Sequence, residues 1–331
     1  MIRASTDCSI DPRSLPLELF TPIDRCRACD GIILTAVSEE RLDFSNMLAD
    51  PDLGPILGDY DGYRFALNKC RACGFMQPAA IPSRPNFFDA IYNLKSPDGW
   101  MEEEFVRGYK DGIFRTILKG LERRLGPSRR ALLDVGCHVG RMIELARQSG
   151  WRPEGIELNA KAAKFAASRT GLPVHRTNAK DFAATGSRFD AVVLTDVLEH
   201  IPDPVPLLAD LRALLNPSGW VAIKVPCGTN QLLKQRIRYK LSKRHDPGIA
   251  TNYVHVNHFG PRSLTTTLGR AGFDSVEVGI GTPELIQGSG VTTALTNAFR
   301  KAVYGAACFF RFGAHSPLAM NLQAFARNPV A

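Results

Sequence analysis

Four of the eight cysteines fall in two copies of one tetrad, Cys26-Arg27-Ala28-Cys29 and Cys70-Arg71-Ala72-Cys73, while Cys8, Cys137, Cys227 and Cys308 stand alone. A Cys-x-x-Cys pair turns tightly enough for its thiolates to converge, and two pairs supply the four ligands of tetrahedral zinc. The long insert between them is tolerated because closure entropy rises slowly with loop length. A redox pair, an iron–sulfur cluster and buried free cysteines are the alternatives, although a redox pair gives no reason for the second copy. A second set of groups is Asp134-x-Gly136-x-His138-x-Gly140. A glycine-bearing turn between a strand and a helix offers backbone N–H groups to a nucleotide-sized ligand. The carboxylate just before that turn would repel a pyrophosphate and favours a ligand that carries a cation and hydroxyls. A third set is Glu199-His200. An imidazole with a pKa near ~6.5 can take a proton from a hydroxyl or a carbon acid, and an adjacent carboxylate would orient it. His255 and His258 lack a cysteine or carboxylate partner at metal-ligand spacing; His258 is carried as an acceptor contact or second base.

These groups need a scaffold, and the hydrophobic pattern supplies one. Ala131, Leu132, Leu133 and Val135 read as a strand buried on both faces, followed by an amphipathic helix over 141–150. Residues 151–157 predict a second strand ending near Glu157, where a carboxylate can accept both hydrogen bonds of a ribose diol, with a helix beginning around Asn159. A short third strand leads into a polar loop with Asn178, Ala179 and Asp181, where an amide can both donate and accept, and Phe182 is read equally as ring contact or core. Ala191–Leu194 is the fourth strand, the polar residues from Thr195 to His200 its carboxyl-terminal loop, and Leu207–Leu215 a helix stopped by Asn216-Pro217-Ser218-Gly219 before the fifth strand, Trp220–Pro226. His255 and His258 fall on an alternating, strand-like stretch, a further helix starts near Pro261, and residues 318–329 predict a last strand, which the resemblance named below makes the seventh, antiparallel one. Open α/β sheets place ligands at the carboxyl ends of their strands, so all of these loops face one site.

Taken together, Asp134-x-Gly136-x-x-x-Gly140, Glu157, and the run from Asp190 to Glu199-His200 followed by Pro217-Ser218-Gly219 resemble the class I S-adenosylmethionine-dependent methyltransferases. The resemblance implies an α/β, Rossmann-like, seven-stranded sheet and S-adenosylmethionine as cofactor. It places Asp134, Gly136, His138, Gly140, Glu157, Asn178, Ala179 and Asp196 at the cofactor, and His200, Glu199 and His258 at the chemistry. His138 stands where the family usually has its middle glycine, and Asn178 where an aspartate is more usual. The four-cysteine, zinc-ribbon-like module ahead of this domain is similar to that of methyltransferases of sugar and polysaccharide modification, including C-methyltransferases of deoxysugar nucleotides. That implies a sugar nucleotide or glycan acceptor, with C- or O-methylation left open.

The expected organisation is a zinc-binding module and connector over 1–99, linking helices over 100–127, and a cofactor-binding domain over 128–331 with an acceptor-binding insert around 227–260. Within the module, Ile32–Val37 and Tyr63–Cys70 read as strands, 51–62 as turns and 76–85 as an extended, proline-bearing connector. A chain of 331 residues can bury a substantial core. The net charge of +8 is mostly interspersed with acidic residues, so nucleic acid is not indicated. Lys234, Arg236, Arg238, Lys240, Lys243 and Arg244 form a basic amphipathic interval suited to phosphate, an anionic glycan or a lipid headgroup in peripheral contact, or equally a solvated helix face. The C-terminal segment is expected to break at Gly305 and Gly313, with Phe309, Phe310 and Phe312 in the core in preference to a lipid-bearing acceptor site or a dimer contact. No run is apolar and long enough to span a bilayer, so a cytoplasmic protein, with homo-oligomers allowed, is the default. A protein or RNA methyltransferase and a noncatalytic interaction protein are the other functional readings.

Overall fold

The structure is a computed structural model and describes residues 16–85, 87–92, 99–128, 130–242, 249–250, 252–286, 290–309 and 313–330. Its N-terminal part comprises β1 (Phe20–Pro22), β2 (Leu34–Arg41), a helical turn α1 (Gly54–Leu57), β3 (Arg64–Cys70), β4 (Met76–Pro78), β5 (Ala80–Pro82) and α2 (Phe87–Tyr92). β2, β3 and β4 form an antiparallel meander, with Leu34 opposite Cys70 and Lys69 opposite Met76, so the sheet register places the second cysteine pair beside the first. Two expectations change here. The 51–62 stretch contains α1 and a 3-10 turn, and the proline-bearing connector forms two short strands, with β5 pairing β1. Short strands tolerate proline at their ends, where the missing N–H breaks no ladder. Phe20, Tyr60, Phe65 and Phe87 fill this part, with edge-on contacts of Tyr60 to Phe20 and Phe87, and Tyr253, far along the chain, stacks on Phe65 at 5.0 Å.

Two helices follow, α3 (Trp100–Arg107) and α4 (Asp111–Leu125). Gly108, at φ +57°, breaks between them, and Ile113, Ile117, Leu118 and Leu121 bury one face of α4. The main sheet is then built from β6 (Ala131–Val135), α5 (Arg141–Gln148), β7 (Arg152–Ile156), α6 (Ala160–Thr170), β8 (Val174–His175), α7 (Ala179–Ala183), β9 (Phe189–Thr195), α8 (Pro204–Ala213), β10 (Leu215–Pro226), α9 (Gly228–Ser242), α10 (Pro261–Arg270), β11 (Asp274–Ile280), α11 (Val291–Phe309) and β12 (Asn321–Arg327). Its seven strands run in the order β11-β12-β10-β9-β6-β7-β8. β8, β7, β6, β9 and β10 are parallel, while β12 is antiparallel to both neighbours. This is the mixed seven-stranded sheet of the class I core, with the Cys-bearing meander attached.

Several local readings are corrected. The stop at 216–219 lies inside β10, where the pairing with β9 slips between Leu215 and Trp220. His255 and His258 are not on a strand: the segment is irregular, with a single antiparallel bridge from Met76 to His258. α11 runs through Gly305, and Phe309 is 85% exposed rather than in the core. Phe310 and Phe312, like Lys243 and Arg244, lie outside the described residues. The basic interval is helical as α9, but of its apolar side chains only Leu232 is buried, whereas Leu233, Ile237, Tyr239 and Leu241 are exposed. Among the described residues no helix is long and apolar enough to cross a membrane.

Candidate active site and cysteine cluster

A cavity of about 380 Å³ opens at the carboxyl ends of β6, β7 and β9. Its wall includes Asp134, Gly136, His138, Glu157, Asn178, Ala179, Asp196 and His200, so residues far apart in the chain meet at one edge of the sheet, where a parallel order brings strand ends together. Gly140 starts α5 behind this wall at φ +78°. Gly136 sits at φ +72°, and a Cβ there would lie 2.8 Å from a Val197 methyl, so both conformation and space exclude a side chain. His138 occupies the same left-handed region at φ +47°, which accounts for the glycine usual there. Its imidazole lies against Glu104 (Nδ1 to Oε2, 3.5 Å), which also lines the cavity, and against the Trp100 ring.

Asp134 is 3% exposed, and burial, reinforced by Glu157 and opposed by Lys110, raises its pKa to about 7. A buried carboxylate on the wall fits a cationic ligand group, which would return it to the charged form. Glu157 spans the turn: Oε2 accepts from His138 N (2.9 Å) and Oε1 from Asn159 N (2.8 Å). Each oxygen retains a lone pair for a diol. Asn178 caps α7, with Oδ1 accepting from Asp181 N and Nδ2 donating to Asp181 Oδ2, both at 2.8 Å, so its amide is already engaged. Phe182 packs among His175 and Phe189 and belongs to the core. Asp196 is held by two lysines, Lys110 at 2.9 Å and Lys224. Burial would push its carboxyl up, but Lys224 and Lys110 outweigh it and hold the pKa at about 2.

Tyr109 and Lys110, at the break between α3 and α4, also line the cavity, although both fall in the stretch 100–127 that the sequence presents only as linking helices. The Tyr109 hydroxyl and the Thr195 hydroxyl are buried there without a hydrogen-bond partner among the described residues. Two orphaned polar groups on the wall mark a place for a polar ligand. The glycine at 108, which interrupts the helical spacing, is the signal that locates Tyr109.

His200 stands on the wall with Nδ1 against the Val254 carbonyl. Hydrogen bonding to a carbonyl requires the proton on Nδ1, leaving Nε2 as the basic nitrogen. Burial lowers its pKa. The orienting group is therefore a backbone carbonyl and not Glu199, whose Oε1 is 4.0 Å from His200 Nε2. Glu199, His200 and His255 offer ligand atoms within 4.8 Å of one another, and the His200 and His255 rings are 4.8 Å apart. His258 is 2% exposed and outside the cavity wall, its backbone paired with Met76.

Both Glu199 carboxylate oxygens are buried without a hydrogen-bond partner among the described residues, and burial, with Asp196 nearby, raises its pKa to about 8. A raised carboxyl pKa means that the folded state binds the proton more tightly than the unfolded chain, whose Glu titrates near ~4.3. Stability should then fall as pH rises from ~4.3 toward about 8. Glu199→Gln, uncharged at every pH, is expected to melt several degrees above the parent at pH 8 and close to it at pH 5, by calorimetric scanning. An equal offset at both pH values would show that the parent does not carry this charge penalty.

The four cysteines form a second cluster, with Cys26 Sγ 3.6 Å from Cys73 Sγ and Cys29 Sγ 3.5 Å from Cys70 Sγ. Tetrahedral zinc with bonds near 2.3 Å sets its sulfurs about 3.8 Å apart, so the donor set fits. Gly31 closes the first knuckle, where a Cβ would lie 3.2 Å from Cys29 Sγ.

The sheet order, with a cavity at the carboxyl ends of its parallel strands, is the fold of class I S-adenosylmethionine-dependent methyltransferases. A family described as "Methyltransferase domain" matches residues 109–278, just over half of the chain, and the chain belongs to that family. It is similar to the Ubiquinone biosynthesis O-methyltransferase of Thiobacillus denitrificans, 34% identical over 110 residues, covering 31% of this chain and 47% of the relative. The protein of the same name from Chromobacterium violaceum is 35% identical over 125 residues, covering 34% and 54%. The chain thus spans about half the length of the curated relatives it matches. A solved S-adenosylmethionine-dependent methyltransferase from Archaeoglobus fulgidus is 19% identical, with a TM-score of 0.46 over 70% of this chain and all of that one.

Proposed function

We propose that this protein transfers a methyl group from S-adenosylmethionine to a small-molecule acceptor. The observation that carries the reading is the convergence of Asp134, the turn that starts at Gly136, Glu157 and His200 on one cavity. The cofactor supplies the electrophilic methyl. Asp134 faces its cationic end, Glu157 takes the ribose diol, and the Asn178–Ala179 corner borders the adenine. Asp196 acts on this wall through Lys110 rather than as a free carboxylate. His200 Nε2 takes the acceptor's proton. Cys26, Cys29, Cys70 and Cys73 hold one structural zinc, since their thiolates need a cation to coexist.

For the acceptor, a sugar nucleotide or glycan is the first reading, supported by the order of cysteine module and cofactor domain. A hydroxyl on an aromatic ring is the second, supported by the names of the relatives. Methyl transfer from labelled cofactor to nucleotide sugars, glycans and phenols decides between them, and transfer only to RNA or protein would reject both. Glu157→Ala is expected to weaken S-adenosylmethionine and S-adenosylhomocysteine alike, by about tenfold for each diol hydrogen bond to a charged acceptor. Isothermal calorimetry measures this; tight NADH binding with no affinity for either sulfur nucleotide would reverse the assignment.

A further inference from the structure

The two knuckles carry the same tetrad, yet their arginines have different surroundings. Arg71 is on the surface, where its side chain donates to the Thr35 hydroxyl at 3.0 Å. Arg27 points inward: Nη1 donates to Pro202 O at 2.8 Å and Nη2 to Val256 O at 2.9 Å. Pro202 is two residues beyond His200, and Val256 is two beyond Val254, whose carbonyl fixes the His200 ring. One planar guanidinium thus ties together the two chain segments whose separation sets that ring's hydrogen bond, in a fork that a lysine cannot reproduce.

The rest of the contact has the same direction. Glu199 O accepts from Val256 N (3.0 Å) and Asn257 N (2.9 Å), and Asn257 Nδ2 donates to Leu198 O (3.0 Å) and Ile201 O (2.6 Å). From the second knuckle, Met76 exchanges both backbone bonds with His258 (3.2 and 3.0 Å). The first knuckle is itself braced, since Gln77 accepts from Arg27 N and donates to Arg25 O, and Arg270 donates to Ala28 O. Cysteine cluster, His255–His258 segment and the loop after β9 therefore form one hydrogen-bonded block.

We infer that Arg27 is a positioning residue for His200, and that through it the four-cysteine cluster sets the geometry of the proton-accepting side of the cavity. This rests on the methyl-transfer reading of that cavity. The cysteines then help to hold the His200 ring in place and are more than a remote staple.

The test uses the full-length zinc-loaded protein and needs no acceptor. Imidazole 15N spectra report the His200 tautomer and environment, and calorimetry with S-adenosylhomocysteine reports the cofactor side. Arg27→Met is expected to shift or double the His200 and His255 signals while zinc stays near one per chain and S-adenosylhomocysteine affinity stays within about threefold. Arg27→Lys, able to reach one carbonyl, should restore the signals in part, and also serves if the methionine variant does not fold. Arg71→Met, in the identical tetrad, should leave both signals in place. Stripping zinc from the parent with a chelator should move the same resonances. Superimposable His200 signals in the Arg27 variants would overturn the proposal, as would equal shifts from Arg71→Met. Failure of the parent to bind S-adenosylhomocysteine would instead reject the methyl-transfer reading and leave the imidazole comparison standing.

Discussion

Cys70→Ser protein is expected to lose its bound zinc and the order of the N-terminal meander, while the parent holds about one zinc per chain. Structural zinc contributes roughly 10–16 kcal/mol of binding energy to small metal-folded modules, more than a domain of ordinary stability can forgo. The site is built for that dependence: β3 delivers Cys70 opposite Leu34, and Cys26, Cys70 and Cys73 are all nearly inaccessible. Without a cation, four converging sulfurs cannot all be thiolates, and the two close Sγ pairs become S–H contacts of little worth. The loss should be read in two ways, by metal content and by protease sensitivity of residues 16–92. Sulfur-nucleotide binding should change less, because Asp134, Gly136 and Glu157 are carried by β6, β7 and their turns. Native protein containing neither zinc nor iron would end the assignment.

His200→Ala is expected to keep its affinity for S-adenosylmethionine and to lose methyl transfer by ~100-fold or more, the range for removal of a general base. The ring is well placed to accept a proton, since it lines the cavity, the Val254 carbonyl fixes its tautomer, and burial lowers its pKa. A base with a lowered pKa is already neutral above ~6.5, so the parent's rate should climb with pH only below that value and then level off. The variant should lose that acid limb. A packing role predicts another pattern, in which stability, cofactor affinity and turnover fall together. Full single-turnover activity of a folded His200→Ala protein on the true acceptor would remove the ring from the chemistry.

Much of the sheet is legible in the residues because its signals are local. A buried strand followed by glycines and an amphipathic run identifies β6 and α5 without reference to anything distant, and the same logic locates β7, β9, α10 and β12. The parallel order of such strands then forces their carboxyl-terminal loops to one edge, so Asp134, Glu157 and His200 can be grouped from the sequence alone. The cysteine spacing works likewise, since a knuckle is defined within four residues.

What only the tertiary structure decided depends on side chains that meet across long separations. Neither Asp196 nor Lys224 and Lys110 announces the ion pairs that occupy its carboxylate, and nothing in Glu199-His200 says that the carboxylate lies 4.0 Å away with the Val254 carbonyl holding the ring instead. Tyr109 faces the cavity because Gly108 breaks the helix, a backbone event that spacing alone blurs. The two Cys-Arg-Ala-Cys tetrads make the division plain. Their local sequence determines two like turns and a common set of ligands, whereas the half-buried, inward course of Arg27 and the exposure of Arg71 are fixed by what packs beyond each turn, the loop after β9 in one case and solvent in the other.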